Sequence, residues 1–367
     1  MATVAKHIAA LTPYPPGKPI EELERELGIS GSIKLASNEN PLGPSPKAME
    51  AIRAAVPNLH RYPDGSAYYL RRKLAAKIGV APGNIVFGNG SNEVIDLIVR
   101  TFMVPGDCAV VPEPTFLMYG KFLAAAGCKC VKVGLAPGLK VDLEAMRRAC
   151  PTARLFIVCN PNNPTGTVVA RAEFDAFLAA LPAEALVLLD EAYIEFAGAA
   201  DTPRGLDYLT DGRVMALRTF SKMYGLAGLR LGYGLMPEEL AGYIERVRQP
   251  FNVNALAQAA ALGALDDDEH FERTLALNAA GLAYLQAELP GLGLSCLPTH
   301  TNFFLAKVDQ KLGDGQALYA RLLREGVIIR SMRPYGLPDH VRISVGLPEE
   351  NRRLVGALAS VAGLAGR

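Results

Sequence analysis

What this sequence lacks narrows it first. It has no surplus charge of either sign: 38 basic side chains stand against 37 acidic ones, a formal net charge of +1. That balance offers no electrostatic footprint for nucleic acid or for an anionic membrane surface. Half of the residues are hydrophobic, yet no apolar run approaches the ~20 residues of a membrane-spanning helix. The stretch from Met1 to Lys18 has no apolar secretory core and holds three prolines, so no signal peptide is read there. The six cysteines, at 108, 128, 130, 150, 159 and 296, form no C-x-x-C, and several fall in apolar runs. They are expected to be buried, reduced thiols of a cytoplasmic protein. The five histidines are scattered without metal-ligand spacing, and no internal repeat or low-complexity tract is present. At 367 residues the chain can bury a large core and is expected to divide into two domains.

What is there alternates. Apolar runs at Ile85–Phe87, Cys108–Val111, Cys130–Val133, Leu155–Cys159, Leu186–Asp190, Val214–Leu217 and Leu231–Leu235 read as strands, with helical segments between most of them. This predicts an α/β fold with a mostly parallel sheet covered on both faces. After Pro250 the pattern is helical to about Leu289. Strands follow near Asn302–Lys307, Val327–Arg330 and Val341–Val345. The C-terminal part reads as a smaller α/β domain.

One segment carries chemistry: Thr219-Phe-Ser221-Lys222-Met-Tyr-Gly225-Leu-Ala-Gly228-Leu-Arg230-Leu-Gly232. A lysine follows a hydroxyl residue, and an arginine sits eight residues later. This is the layout of a pyridoxal phosphate site, in which the lysine amine condenses with the cofactor aldehyde. Ser221 and Arg230 can both reach one phosphate; the planar guanidinium makes paired, charge-assisted bonds to its oxygens. Glycines let the backbone pass close to the cofactor. A basic surface loop has a similar composition, so three further segments decide its meaning.

Leu186-Val-Leu-Leu-Asp190-Glu-Ala-Tyr193 reads as a buried strand with a carboxylate at its C-terminal end, where open α/β sheets build their sites. Asp190 either caps the next helix or pairs with a protonated pyridine nitrogen, the charge that makes the ring an electron sink. Tyr193 can bond the ring hydroxyl. Leu155-Phe-Ile-Val-Cys-Asn160-Pro-Asn-Asn163-Pro-Thr-Gly166 ends another strand in a turn that supplies Asn163 to the same hydroxyl, opposite Tyr193. Ile85-Val-Phe-Gly88-Asn-Gly90-Ser91-Asn92 leads a strand through a glycine turn into a helix with apolar Val94, Ile95, Leu97 and Ile98. Such a helix start either binds phosphate through its N–H groups or is a plain connection capped by Ser91. It is not a dinucleotide fingerprint, because Glu93 occupies the third glycine position.

Taken in order, Gly-Ser-Asn, N-P-T-G, D-x-x-Y and S-K…R-x-G resemble the fold-type I aminotransferases that use pyridoxal 5'-phosphate. The strings Pro13-Tyr14-Pro-Pro-Gly17-Lys18-Pro, Leu35-Ala-Ser-Asn38-Glu-Asn40-Pro-Leu-Gly43-Pro, Arg61-Tyr62-Pro-Asp-Gly65, Val327-Ile-Ile-Arg330 and Val341-Arg342-Ile-Ser-Val-Gly346 resemble the histidinol-phosphate aminotransferase branch. The resemblance runs from about Tyr14 to beyond Gly346, nearly the whole chain. It implies a fold-type I transferase with a large cofactor-binding domain at 40–250. A small domain would be formed by 1–39, as an N-terminal arm, plus 251–367. It implies that Gly90, Ser91, Asn92, Thr219, Ser221 and Arg230 serve the cofactor beside Lys222, Asp190, Tyr193 and Asn163. Phe116 would stack on the ring, or else be a core aromatic. Tyr62 would cross the interface of a homodimer to the partner's cofactor, where a tyrosine in Y-P-D-G is otherwise a turn residue. Arg330 and Arg342, costly in apolar strands unless paired, would take the substrate's anionic group together with Asn38. Tyr14 would help to hold a phosphate or else pack in the arm.

The implied reaction is transfer of the amine of histidinol phosphate to 2-oxoglutarate. An aromatic amino acid aminotransferase is the alternative, and Tyr335 in the Met332–Pro338 insert could alter the pocket accordingly. A related decarboxylase of a phosphorylated amino acid would share most motifs. A cofactor-binding transcription regulator would need a DNA-binding domain ahead of Tyr14, for which the sequence leaves no room.

Overall fold

A computed structural model describes residues 3–13 and 17–364, so Tyr14 lies outside the described residues. A two-residue strand, β1 (Ile33–Lys34), precedes the large sheet. That sheet contains β2 (Ile85–Asn89), β3 (Cys108–Glu113), β4 (Lys129–Gly134), β5 (Leu155–Cys159), β6 (Leu186–Asp190), β7 (Val214–Thr219) and β8 (Leu231–Leu235). Its order is β2-β8-β7-β6-β5-β3-β4. The pairs β4–β3, β3–β5, β5–β6 and β6–β7 are parallel, while β8 runs antiparallel to both β7 and β2. The expected mostly parallel sheet is therefore present, with one reversed strand.

β5 and β6 are buried at every position, because both faces of the sheet are covered. Alternate side chains feed opposite layers. Leu155, Ile157, Leu186 and Leu188 pack with the helix Ser91–Phe102 on one face. Phe156, Val158, Val187 and Leu189 pack with the helix Arg171–Ala180 on the other. The edge strand β4 keeps Lys129 and Lys132 exposed, which discourages pairing with another sheet. In the helix Ser91–Phe102, Val94, Ile95, Leu97 and Ile98 are all buried, as their spacing predicts. Ser91 is its first residue and makes no side-chain cap; Gly90 precedes it at φ +78°.

A second, antiparallel sheet has the order β12-β13-β10-β9, with β9 (Leu294–Cys296), β10 (Phe303–Val308), β12 (Arg330–Ser331) and β13 (His340–Ser344). β11 (Val327–Ile328) pairs in parallel with β1, matching Ile33 to Val327. The continuous strand expected over Val327–Arg330 is thus two strands that pair with different partners. The run up to Arg330 is apolar throughout, so its side chains carry no sign of where the backbone changes partner. β1 and β9, of two and three residues, are too short to show a period. The helix Ala255–Ala264 packs with the helices Pro46–Ala55 and Tyr68–Ile78 against the large sheet. The helix Asp268–Glu288 ends in the core of the small sheet through Leu285. All six cysteines are free, but only Cys128 and Cys159 are buried; the other four are half-buried. No helix among the described residues is long and apolar enough to cross a membrane.

Candidate active site

The C-terminal ends of β2, β3, β5, β6 and β7 lie along one edge of the large sheet, beside the N-terminal end of the reversed β8. Each motif leaves the sheet at that edge, which is where crevices form in open α/β sheets. The result is a cavity of about 250 Å³. Lys222, Asp190, Tyr193, Asn163, Ser221 and Arg230 face it. So do Ser91, Asn92, Phe116, Thr219, Asn38, Arg330 and Arg342.

Lys222 donates from Nζ to the carbonyl of Ser37 at 3.2 Å. Burial pushes its amine down to about 8; Arg342 and Arg230 add to the shift, and Glu39 opposes it. An amine so placed exchanges a proton near neutral pH. Asp190 lies at the floor. Its Oδ2 accepts from the Tyr119 hydroxyl at 2.5 Å and its Oδ1 from the Ala192 N–H at 3.0 Å. Burial pushes the Asp190 carboxyl up to about 6, while those two hydrogen bonds pull it down.

Tyr193 is buried, and its hydroxyl accepts from Asn38 Nδ2 at 2.9 Å. Burial holds the phenol above its usual range, so its own proton stays available to donate. Asn163 accepts from Arg342 Nη1 through Oδ1 at 2.6 Å, which leaves its amide N–H groups for another acceptor. The Asn-Pro-Gly turn is tied down both internally and to its neighbours. Asn160 Nδ2 donates to Thr202 Oγ1 at 2.7 Å, and Asn162 Nδ2 to Thr165 Oγ1 at 3.0 Å. Thr115 Oγ1 donates to Asn162 Oδ1 at 2.8 Å. The string is demanding because Asn160 and Asn162 fix the turn that carries Asn163.

Two glycines explain the Gly-Ser-Asn and R-x-G motifs. A Cβ on Gly90 would come closer than 3.0 Å to Arg230 Nη2, and one on Gly232 would do the same to the Ser91 backbone nitrogen. Only bare backbone lets Arg230 lie against the helix start. Thr219 acts as a brace, with its Oγ1 accepting from the Ser221 N–H at 3.0 Å.

Arg330 and Arg342 are directly paired positions on β12 and β13. Arg342 spends Nη2 on the Ala36 carbonyl at 2.7 Å, and its buried Nε has no hydrogen-bond partner among the described residues. Asn38 faces the cavity and is tied on two sides. It accepts from Ser344 Oγ at 3.0 Å while donating to Tyr193. Tyr62 stays outside the cavity of its own chain, 83% exposed and stacked on Phe251 at 5.0 Å. Sequence reasoning misses Tyr119: a tyrosine just after Pro-Thr-Phe reads as core, and it is wholly buried. Its only signal is the position three residues beyond Phe116, whose ring it meets edge-on at 5.5 Å.

These donors fit pyridoxal phosphate. Arg230, Ser221 and the N–H groups of the helix start make one cationic, donor-rich end. Asp190 offers a buried carboxylate at the floor, and Tyr193 and Asn163 can reach a ring oxygen. The buried Nε of Arg342 is a donor suited to an anion. Among the described residues no His, Cys, Asp or Glu cluster suits a metal ion.

Residues 30–358 match the family model of aminotransferase class I and II. Histidinol-phosphate aminotransferase 2 of Pseudomonas aeruginosa is 47% identical over 365 residues, covering 98% of each chain. The histidinol-phosphate aminotransferase of Moorella thermoacetica is 44% identical over 98% of this chain and 94% of its own. The crystal structure of histidinol-phosphate aminotransferase from Sinorhizobium meliloti, in complex with pyridoxal 5'-phosphate, superposes with a TM-score of 0.91 at 30% identity, over 99% of this chain and 98% of that one.

Proposed function

Because this chain belongs to the class I and II aminotransferases, we propose a division of labour among its site residues for transamination of histidinol phosphate. The enzyme uses pyridoxal phosphate and moves an amine from histidinol phosphate to 2-oxoglutarate, a step of histidine biosynthesis. Bound, the cofactor supplies an electron sink for the electrons left when the substrate Cα–H bond breaks. Lys222 would anchor it, and its Nζ would accept the proton from the substrate Cα and later give it up again. Asp190 pairs with the ring nitrogen; Tyr119 and Ala192 fix the carboxylate that does so. Tyr193 and Asn163 donate to the ring oxygen. Ser91, Asn92, Ser221 and Arg230 hold the phosphate, and Phe116 covers the ring. Arg330 and Arg342 take the anionic end of the substrate.

The observation that carries the substrate reading is the pairing of Arg330 with Arg342 across β12 and β13 at the cavity wall. A phosphate offers more oxygens and charge to such a pair than a carboxylate does. Two lobes meet there, one on each sheet, with the N-terminal segment joined to the small one through β1. The protein is a cytoplasmic homodimer in this reading. Among the described residues, six of the eleven exposed large apolar side chains lie in 56–69 or, as Phe251, against it, which supports an interface there. Purified protein is expected to show kcat/KM for histidinol phosphate at least about tenfold above that for phenylalanine or tyrosine, or ~1.4 kcal/mol of transition-state binding. Arg330→Ala should weaken the phosphate substrate more than the aromatic ones. A wild type that prefers phenylalanine would make it an aromatic amino acid aminotransferase instead.

A further inference from the structure

Among the described residues, two carboxylates face the cavity. Asp190 is committed to Tyr119 and Ala192. Glu39 is the other. It sits at the rim, lining both the cavity and an adjoining surface groove that contains Pro19, Lys34 and Gly346. Its charge reaches the Lys222 amine and raises its pKa, against burial and the arginines. Its own ion-pair contact is distant: Lys34 Nζ lies 3.9 Å away, and the Glu39 side chain is 51% exposed. The backbone beneath it is fixed. Asn302 Nδ2 donates to the carbonyls of Asn38 and Glu39 at 3.1 and 3.3 Å. Asn40 Nδ2 donates to the Met223 carbonyl at 2.9 Å and to Thr274 at 3.2 Å. Glu39 is thus a weakly tied carboxylate on a rigid mount, beside the amine that performs the chemistry.

The described cavity also holds four cationic side chains: Lys222, Arg230, Arg330 and Arg342. They suit phosphates. They cannot serve an imidazole N–H, which donates and needs an acceptor. Resting on the reading that histidinol phosphate is the substrate, we propose that Glu39 accepts the ring N–H of the imidazole and selects that ring over a plain aromatic one. A benzene ring closed against Glu39 would strip water from a carboxylate and return no hydrogen bond, and sites built for an N–H discriminate strongly against analogues that lack it. The same charge opposes the distal carboxylate of glutamate, the amine donor of the reverse half-reaction, so neutralising Glu39 has opposite signs for the two partners.

The test is steady-state kinetics of the wild-type, Glu39→Met and Lys34→Met holoenzymes with histidinol phosphate, phenylalanine and glutamate as donors. Glu39→Met, which keeps the length and removes the acceptor, is expected to lose about tenfold in kcat/KM for histidinol phosphate, chiefly through KM, and to hold or rise for phenylalanine. The KM for glutamate should hold or fall. Lys34→Met, which removes the ion pair and keeps the carboxylate, should preserve the substrate ratio. Equal losses on all three donors would show that Glu39 acts only on Lys222 or on the fold; an unchanged rate with histidinol phosphate would remove it from recognition. Either result overturns the proposal. A wild type without preference for histidinol phosphate overturns the substrate reading itself, and this inference with it.

Discussion

Asp190 is ionised at a cost to its own fold. Its carboxyl is raised from 3.8 to about 6 by burial. A group whose folded pKa lies above its unfolded one stabilises fully below the unfolded value and loses that contribution as pH rises through the folded value. The window here runs from about pH 4 to about pH 6, and the loss is on the order of 2–3 kcal/mol. With the cofactor stripped, Asp190→Asn should therefore melt a few degrees above the wild type at pH 7.5 and show no advantage at pH 4. The loaded variant should turn over slower by orders of magnitude, because a neutral amide cannot hold the ring nitrogen protonated. Thermal melts at the two pH values check the first half; a variant that melts below the wild type at pH 7.5 would contradict it. The sequence shows Asp190, since its strand ends in an acid. It does not show Tyr119 beneath it, because a buried phenol that donates to a carboxylate carries the same letters as a core tyrosine. Likewise Asn38 is legible as a site residue, but its bonds to Tyr193 and Ser344 span 155 and 306 positions and no local pattern encodes them.

Among elements, the meeting of β8 with the start of the helix Ser91–Phe102 is a tight constraint on the site. Gly232→Ala would press a methyl into the Ser91 backbone nitrogen, so the helix start must move away from Arg230. The variant is expected to fold and to bind the cofactor at least about tenfold more weakly, ~1.4 kcal/mol. Gly228 lies in the short turn Ala227–Leu229 just ahead of β8, and an added Cβ there meets nothing within 4 Å. Gly228→Ala is the matched control and should bind as the wild type does. Equal affinities of the two variants in a cofactor titration would mean that Gly232 has no part in shaping the phosphate end. The long buried strands are readable, since burial on both faces leaves an unbroken apolar run. The partner change between β11 and β12 is not, because the distant pairing of Ile33 with Val327 decides it.

At the scale of the molecule, each active site is completed by a second copy if Tyr62 serves the partner. Tyr62 projects into solvent, away from the cavity of its own chain. Lys222→Ala alone should abolish turnover and the visible absorbance of the lysine-bound cofactor. Tyr62→Ala should be strongly impaired. Mixed and allowed to exchange, the two should recover up to about one quarter of wild-type activity, since about half of the dimers are hybrids and each hybrid has one intact site. Activity that stays at the level of the separate variants, or a fully active monomer by sedimentation, would count against shared sites.

The clasp of Arg342 on Asn163 and Ala36 has an evolutionary consequence. Arg330 and Arg342 lie on the C-terminal sheet, whereas Lys222, Asp190, Tyr193 and Asn163 end or follow strands of the large one. In the proposed reading, the contacts to the anionic end and the chemistry are therefore inherited on separate stretches of one gene. Recombination downstream of the helix Asp268–Glu288 can exchange the anion contacts while Lys222, Asp190 and the ring-selecting Glu39 pass on unaltered, provided that the crossover keeps an arginine where Asn163 meets it.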